Sequence, residues 1–190
     1  MRYWFTADYH LGHPNIIKYC NRPFSNLQQM NETIIRNHNS RVKKDDIIFH
    51  NGDFCFKNSE GDKDGEGIRK SVMEWEQQLN GKFIHIKGNH DKNNSCKTII
   101  KNLKIIFGNE LINIVHDPMD YDEGCSINFI GHIHEKWKFR KVFSKMRYEN
   151  IYLINIGVDI WKFMPVSFEE IIKEFNRWKK NGCPNEEEIL

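Results

Sequence analysis

The chain has no apolar run approaching the ~18 residues that a bilayer crossing needs, and no basic segment followed by an apolar stretch near its first residues. A cytoplasmic protein with no membrane association is therefore expected. It also lacks an excess of either charge. The 28 Lys and Arg stand against 26 Asp and Glu, a net of +2, so no bulk cationic field demands nucleic acid or an anionic surface. No CxxC pair occurs. The five cysteines, Cys20, Cys55, Cys96, Cys125 and Cys183, are scattered and odd in number, which argues against a zinc ribbon or dithiol centre and leaves them as reduced structural residues. No solenoid-type repeat is found. What is present is 190 residues with 39% hydrophobic and 13% aromatic content, enough for one buried core, together with nine histidines.

The apolar runs are short and rich in Ile, Phe and Val, which suits buried strands: Tyr3 to Phe5, Ile47 to Phe49, Phe83 to Ile86, Leu111 to Val115, Ile127 to Ile130 and Ile151 to Ile156. At least six strands are predicted. Helical spacing follows a capping box at Ser25 and Gln28, with Leu27, Met30, Ile34 and His38 in register. It recurs at Ile68, Val72, Trp75 and Leu79, stopping at Gly81, and again after a second box at Ser167 and Glu170. This intermixing predicts an α/β sandwich. Residues 1–180 are expected to form one domain, with 57–67 a mobile surface loop and 181–190 a frayed tail.

Chemistry collects where the strands end. Asp8 and His10 follow the first run, Gly52 and Asp53 the second, and Gly88, Asn89, His90 and Asp91 the third; His116 follows the fourth, and Gly131, His132 and His134 the fifth. In an open α/β sheet such loops converge on one crevice. Asp8, His10, Asp53, Asn89, His116, His132 and His134 are then seven oxygen and nitrogen donors, more than one tetrahedral ion takes. Two metals about 4 Å apart, sharing a carboxylate, would use them all. Four imidazoles disfavour Ca²⁺ and suit Mg²⁺ poorly, whereas Mn²⁺, the first choice, and Fe, Co²⁺, Ni²⁺ or Zn²⁺ accept mixed donors.

The ordered set DxH, GD, GNHD, a lone His after a strand, and GHxH over Thr6 to His134 resembles the calcineurin-like metallophosphoesterase family. TADYHLGHPNII at Thr6 to Ile17, KYCNRPF at Lys18 to Phe24 and NIGVDIWKFMPVSFEEI at Asn155 to Ile171 are similar to a small single-domain bacterial and phage branch. The resemblance implies a two-layered β-sandwich flanked by helices, with a binuclear metal site at the strand ends. It implies one metal on Asp8, His10, Asp53 and His134, and the other on Asp53, Asn89, His116 and His132, with Asp53 bridging. It makes His90 the residue that steadies the transition state or protonates the leaving group. The implied activity is hydrolysis of a phosphodiester or phosphomonoester by a metal-bridging hydroxide. At Val115-His116-Asp117-Pro118 the neighbours are bulkier than the glycine many members carry, which alters the expected loop shape.

Several residues admit two readings. Asp91 can orient His90 or make a structural salt bridge, and His13 can touch a substrate phosphate or cap the following helix. Asp117 can support a histidine or close the turn at Pro118, the favoured reading. Asn155 and Asp159 can line the crevice or close a loop. His38, His50 and His85 lie within predicted elements and are read as structural. Residues 135–149 hold six Lys or Arg with Trp137, Phe139, Phe143 and Tyr148 interleaved. That pattern suits single-stranded nucleic acid or, preferred here, a strand pair with one basic and one packed aromatic face. The expected partner is a phosphorylated small molecule or nucleotide. A nuclease and a non-catalytic metal-binding scaffold of the same fold are the alternatives.

Overall fold

The computed structural model describes residues 1–56, 70–92, 96 and 98–184. The loop expected over 57–67 lies outside these residues, as do Ile68 and the end of the tail. Among the described residues nine strands form two sheets. The first holds β1 (Tyr3–Thr6), β2 (Ile47–Asn51), β3 (Lys82–Ile86) and the two-residue β9 (Val166–Ser167), in the order β3-β2-β1-β9. The second holds β4 (Asn102–Phe107), β5 (Glu110–Val115), β6 (Ile127–Ile130), β7 (Phe139–Ser144) and β8 (Glu149–Asn155), in the order β4-β5-β6-β8-β7. In each sheet three adjacent strands run parallel, β1-β2-β3 and β5-β6-β8; antiparallel β9 lies at one edge of the first sheet, and antiparallel β4 and β7 at the two edges of the second.

The parallel strands are nearly continuous apolar runs because both their faces are covered. β6 is buried at all four positions, and β1 at three of four. Between the sheets, Phe5 of β1 meets Phe129 of β6 edge-on at 5.1 Å and stacks on Phe49 at 5.2 Å. Ile171 and Phe175 of α4 (Phe168–Lys180) join this inter-sheet core. Each such ring, once buried, contributes about 1.5–3 kcal/mol relative to exposure. A second core, with Tyr9, Ile16, Met30, Ile34 and Trp75, packs α1 (Asn15–Tyr19), α2 (Leu27–Arg41) and α3 (Val72–Glu76) beside the first sheet. The result is the two-layered sandwich flanked by helices that the sequence predicted.

Two strands, β4 and β9, go beyond the prediction, and β7 fits the strand pair read at 135–149. β4 pairs with β5 across Gly108, whose φ of 62° opens the hairpin turn. β7 pairs with β8 as the basic and aromatic segment suggested, and β9 adds two residues against β1. Helix starts also shift. The N-cap of α2 is Asn26, whose side chain accepts the Gln29 N–H, while Gln29 reaches back to Ser25 N–H; the box is set one residue later than the Ser25–Gln28 reading. α3 begins at a capping box of Ser71 and Glu74 and spans only Val72–Glu76, because Leu79 already belongs to the turn leading to β3. The described part of the tail is tied down at Pro184, whose carbonyl accepts the Trp178 indole N–H at 3.0 Å.

Candidate metal centre

The two sheets meet where their central strands end. Ala7, just past β1, bridges to Gly157, just past β8, and Val158 N–H donates to Ala7 O at 3.1 Å. The loops that leave the strands here carry all seven predicted donors. Five of the seven adopt left-handed backbone: Asp8 (φ 59°), His10 (50°), Asp53 (56°), His132 (70°) and His134 (50°). Non-glycine residues rarely occupy this region, and where a fold enforces it the reason is usually functional. The turns reverse the chain so sharply that neighbouring side chains face inward. Gly52 permits close packing: at φ 85° it has no room for a Cβ, which would collide with His116 Nδ1. A Cβ on Gly88 would lie 2.2 Å from Asp53 Oδ1.

The donors form two groups, Asp8 with His10 and His134, and Asp53 with His116 and His132; within each, the ligating atoms lie within 4.8 Å of one another. Asp53 stands between them, its Oδ2 3.6 Å from His10 Nε2 and 3.3 Å from His116 Nε2. Asn89 completes the second group, its side-chain oxygen 3.0 Å from His116 Nε2 and 2.9 Å from His132 Nδ1. The second nitrogen of His116 donates to Asn51 O at 2.7 Å, and that of His134 donates to Asp159 Oδ2 at 3.1 Å. Each ring is thus aimed by its other nitrogen.

Electrostatics fits cations. Asp8 and Asp53 are buried together. Burial pushes the Asp8 carboxyl up against the pull of His134 and His116. For Asp53 burial is outweighed by the His116 hydrogen bond and charge, which hold it low. Burial would depress His116 and His134, yet Asp53 and Asp8 raise His116 to about 9, and Asp8 with Asp159 raises His134 to about 11. Protons on these rings therefore balance the buried carboxylates in the metal-free chain. Divalent ions would supply the same positive charge and leave the rings neutral for ligation. His10 Nε2 is buried with no hydrogen-bond partner, the orphan expected of a ligand. The residues present fit two divalent ions.

His90 lies at the mouth, exposed, its ring 5.5 Å from that of His10 and its N–H bonded to Asp53 Oδ1 at 2.9 Å. His13 is 5.5 Å from His10, stacked on Phe56 at 4.2 Å, with a buried unpartnered Nδ1; α1 has no side-chain cap, so the capping alternative is not seen. Burial, and then His90, lower its pKa to about 4, so it is neutral. Asp91 makes neither contact read for it in the sequence. Its Oδ2 accepts the N–H of Gly88 at 2.7 Å and of Asp53 at 3.1 Å, and its Oδ1 has no partner among the described residues, so it holds the loop backbone rather than the His90 ring. Asn155 closes the loop at His134 O and Trp137 O, and Asp117 caps the turn at Pro118–Asp120. Arg22, buried against Asp159, lies within the KYCNRPF segment but is given no individual role by the sequence, since its partner lies 137 positions away.

The basic segment does not continue this site. Trp137 and Phe139 are buried, Lys138 sits 3.9 Å over Trp161 and pairs with Glu174, and Arg140 lies over Trp137. Phe143 and Tyr148 are exposed near the hairpin end closed by Ser144 and Glu149, the end of β7 and β8 away from His134 and Asn155. No disulfide joins any of the five cysteines, and no helix among the described residues is long and apolar enough to cross a membrane.

Comparison with known proteins agrees with this geometry. The family model for calcineurin-like phosphoesterases matches residues 1–188, and the chain belongs to that family. The uncharacterised protein MJ1445 of Methanocaldococcus jannaschii is 31% identical over 181 residues, which span 93% of this chain and 92% of its own length. The crystal structure of AQ665, a protein of unknown function from Aquifex aeolicus, shares the fold. It has a TM-score of 0.63 and 24% identity, over 90% of this chain and 98% of that one.

Proposed function

We propose that the chain hydrolyses a phosphodiester or phosphomonoester with two divalent transition-metal ions, Mn²⁺ first among the candidates. The observation that carries this reading is the pair of three-residue groups on either side of Asp53. Asp8, His10, Asp53 and His134 would hold one ion, and Asp53, Asn89, His116 and His132 the other. Such ions supply Lewis-acid stabilisation of phosphoryl charge and a water acidified towards neutrality.

The chain's own residues do the rest. His90, free at the mouth, donates a proton to the leaving-group oxygen. His13, neutral and aimed inward, holds a phosphoryl oxygen. Asp91 fixes Gly88 and Asp53 so that the intervening Asn89 and the adjacent His90 are presented together. The partner is a phosphorylated small molecule or nucleotide. A nucleic-acid substrate is the weaker reading, since Lys138, Arg140 and Arg147 are engaged within the chain and the exposed aromatics Phe143 and Tyr148 lie at the remote hairpin end.

One aryl phosphodiester and one aryl phosphomonoester, offered to Mn²⁺-loaded protein, metal-stripped protein and His90→Ala, test this. Turnover that requires metal and drops by about 10²–10⁴-fold in His90→Ala, with metal content unchanged, is the expected result. Metal-independent turnover, or full activity in the variant, would sink it.

A further inference from the structure

Behind the Asp8–His10–His134 group lies a buried ion pair that, among the described residues, has no counterpart beside the second group. Arg22, its side chain inaccessible to solvent, donates from Nε to Asp159 Oδ1 at 2.7 Å and from Nη2 to Asp159 Oδ2 at 2.9 Å. Its fork also donates to the carbonyl oxygens of Asp8 at 2.7 Å and Tyr9 at 3.1 Å. Asp159 Oδ2 in turn accepts the His134 Nδ1–H. One guanidinium therefore fixes the left-handed stretch that carries Asp8 and His10, and the carboxylate that aims His134. In the second group His116 rests on a neutral backbone carbonyl, Asn51 O.

Stability alone is a poor reason for such a pair, because desolvation of buried ions offsets most of their attraction and apolar side chains would serve as well. A carboxylate behind an imidazole does something apolar groups cannot. It fixes the ring's tautomer and makes the outer nitrogen a stronger donor to a cation. The guanidinium keeps that carboxylate ionised and in place.

We propose that Asp159, held by Arg22, is a positioning residue that sets the cation affinity of the Asp8–His10–His134 group without setting that of the Asp53–His116–His132 group. The inference rests on the metal-centre reading given above. Its test is calorimetric titration of the metal-stripped full chain with Mn²⁺, with free Mn²⁺ followed by electron paramagnetic resonance. Wild type takes up two ions. In Asp159→Asn one step weakens by about 10- to 100-fold and the other stays within about twofold. The charge-balanced double variant Arg22→Gln/Asp159→Asn, which leaves no unpaired buried cation, gives the same selective loss should the single variant fold poorly. Asn89→Ala weakens the opposite step, and combining it with Asp159→Asn weakens both. Equal weakening of both steps, or no change in either, in a variant whose metal-free unfolding remains cooperative would assign the pair to folding alone and overturn the proposal. Failure of wild type to take up two ions would instead overturn the functional reading, and this inference with it.

Discussion

The loops of the first sheet bring both buried carboxylates of the centre, Asp8 and Asp53, together with His10 and Asn89, whereas the loops after β5 and β6 of the second sheet bring only imidazoles, His116, His132 and His134. Anionic charge comes from one layer and most of the nitrogen from the other. Each candidate group crosses the boundary: Asp8 and His10 meet His134, and Asp53 meets His116 and His132. Neither group is drawn from the loops of one sheet alone. The centre is thus a property of the sandwich, and a bound cation would act as a cross-link between its layers.

Removing the cross-link is the largest test of that difference. At a hundredfold excess over its dissociation constant a ligand contributes about 2.7 kcal/mol per site, so protein saturated with Mn²⁺ should exceed chelator-stripped protein by about 5 kcal/mol in urea unfolding. A shift below about 1 kcal/mol would mean that ions do not tie the sheets together. Next comes the shared carboxylate. Asp53→Asn should lower turnover by about 10³-fold, equivalent to about 4 kcal/mol of transition-state stabilisation, and abolish most of the Mn²⁺-dependent stability. Retention of that stability would show that Asp53 is not shared between the groups.

The smallest effect lies away from the boundary, beside the first sheet, where His38 should respond to protons and not to metal. Its Nε2–H donates to Asn80 O and its Nδ1 accepts from Tyr9, each at 2.7 Å. Burial lowers its pKa to about 4, against the partial help of the Asn80 bond. Below that value folded and unfolded chains both hold the proton. Between it and the ordinary 6.5 only the unfolded chain does. Stability therefore falls as pH falls through this window, and the His38 share of the loss between pH 7 and pH 5 is about 2 kcal/mol. Urea unfolding of His38→Gln beside wild type at both values measures that share; an equal loss in the variant would remove His38 as its source.

How much of this was legible in the sequence depends on the range over which each residue acts. The donors were readable because each follows a short apolar run directly, so strand period and loop chemistry adjoin in the text. α4 is readable from Ser167 and Glu170, since a capping box spans only four residues. β4 was not. Asn102 to Phe107 alternates exposed and half-buried positions at a sheet edge, and its apolar residues merge with β5 across the short turn at Gly108. The task of Asp91 is not legible from adjacency, because the 3₁₀ turn starting at His90 directs its carboxylate back to Asp53 and Gly88. Arg22 was silent because burial and a partner far along the chain emerge only on folding.

The left-handed turns set folding against chemistry at the same five positions. For a residue with a Cβ that conformation costs about 1–2 kcal/mol, and glycine is relieved of it. Exchanging Asp8, His10, Asp53, His132 or His134 for glycine would discard a donor while easing the backbone, and discarding Asp8 or Asp53 would also remove a buried charge. In a lineage where turnover no longer mattered, ordinary mutation would find such exchanges tolerable or even stabilising. Descendants of this fold are therefore expected to lose their donors well before their sheets, and to reach the status of inert platforms by drifting downhill in conformational energy.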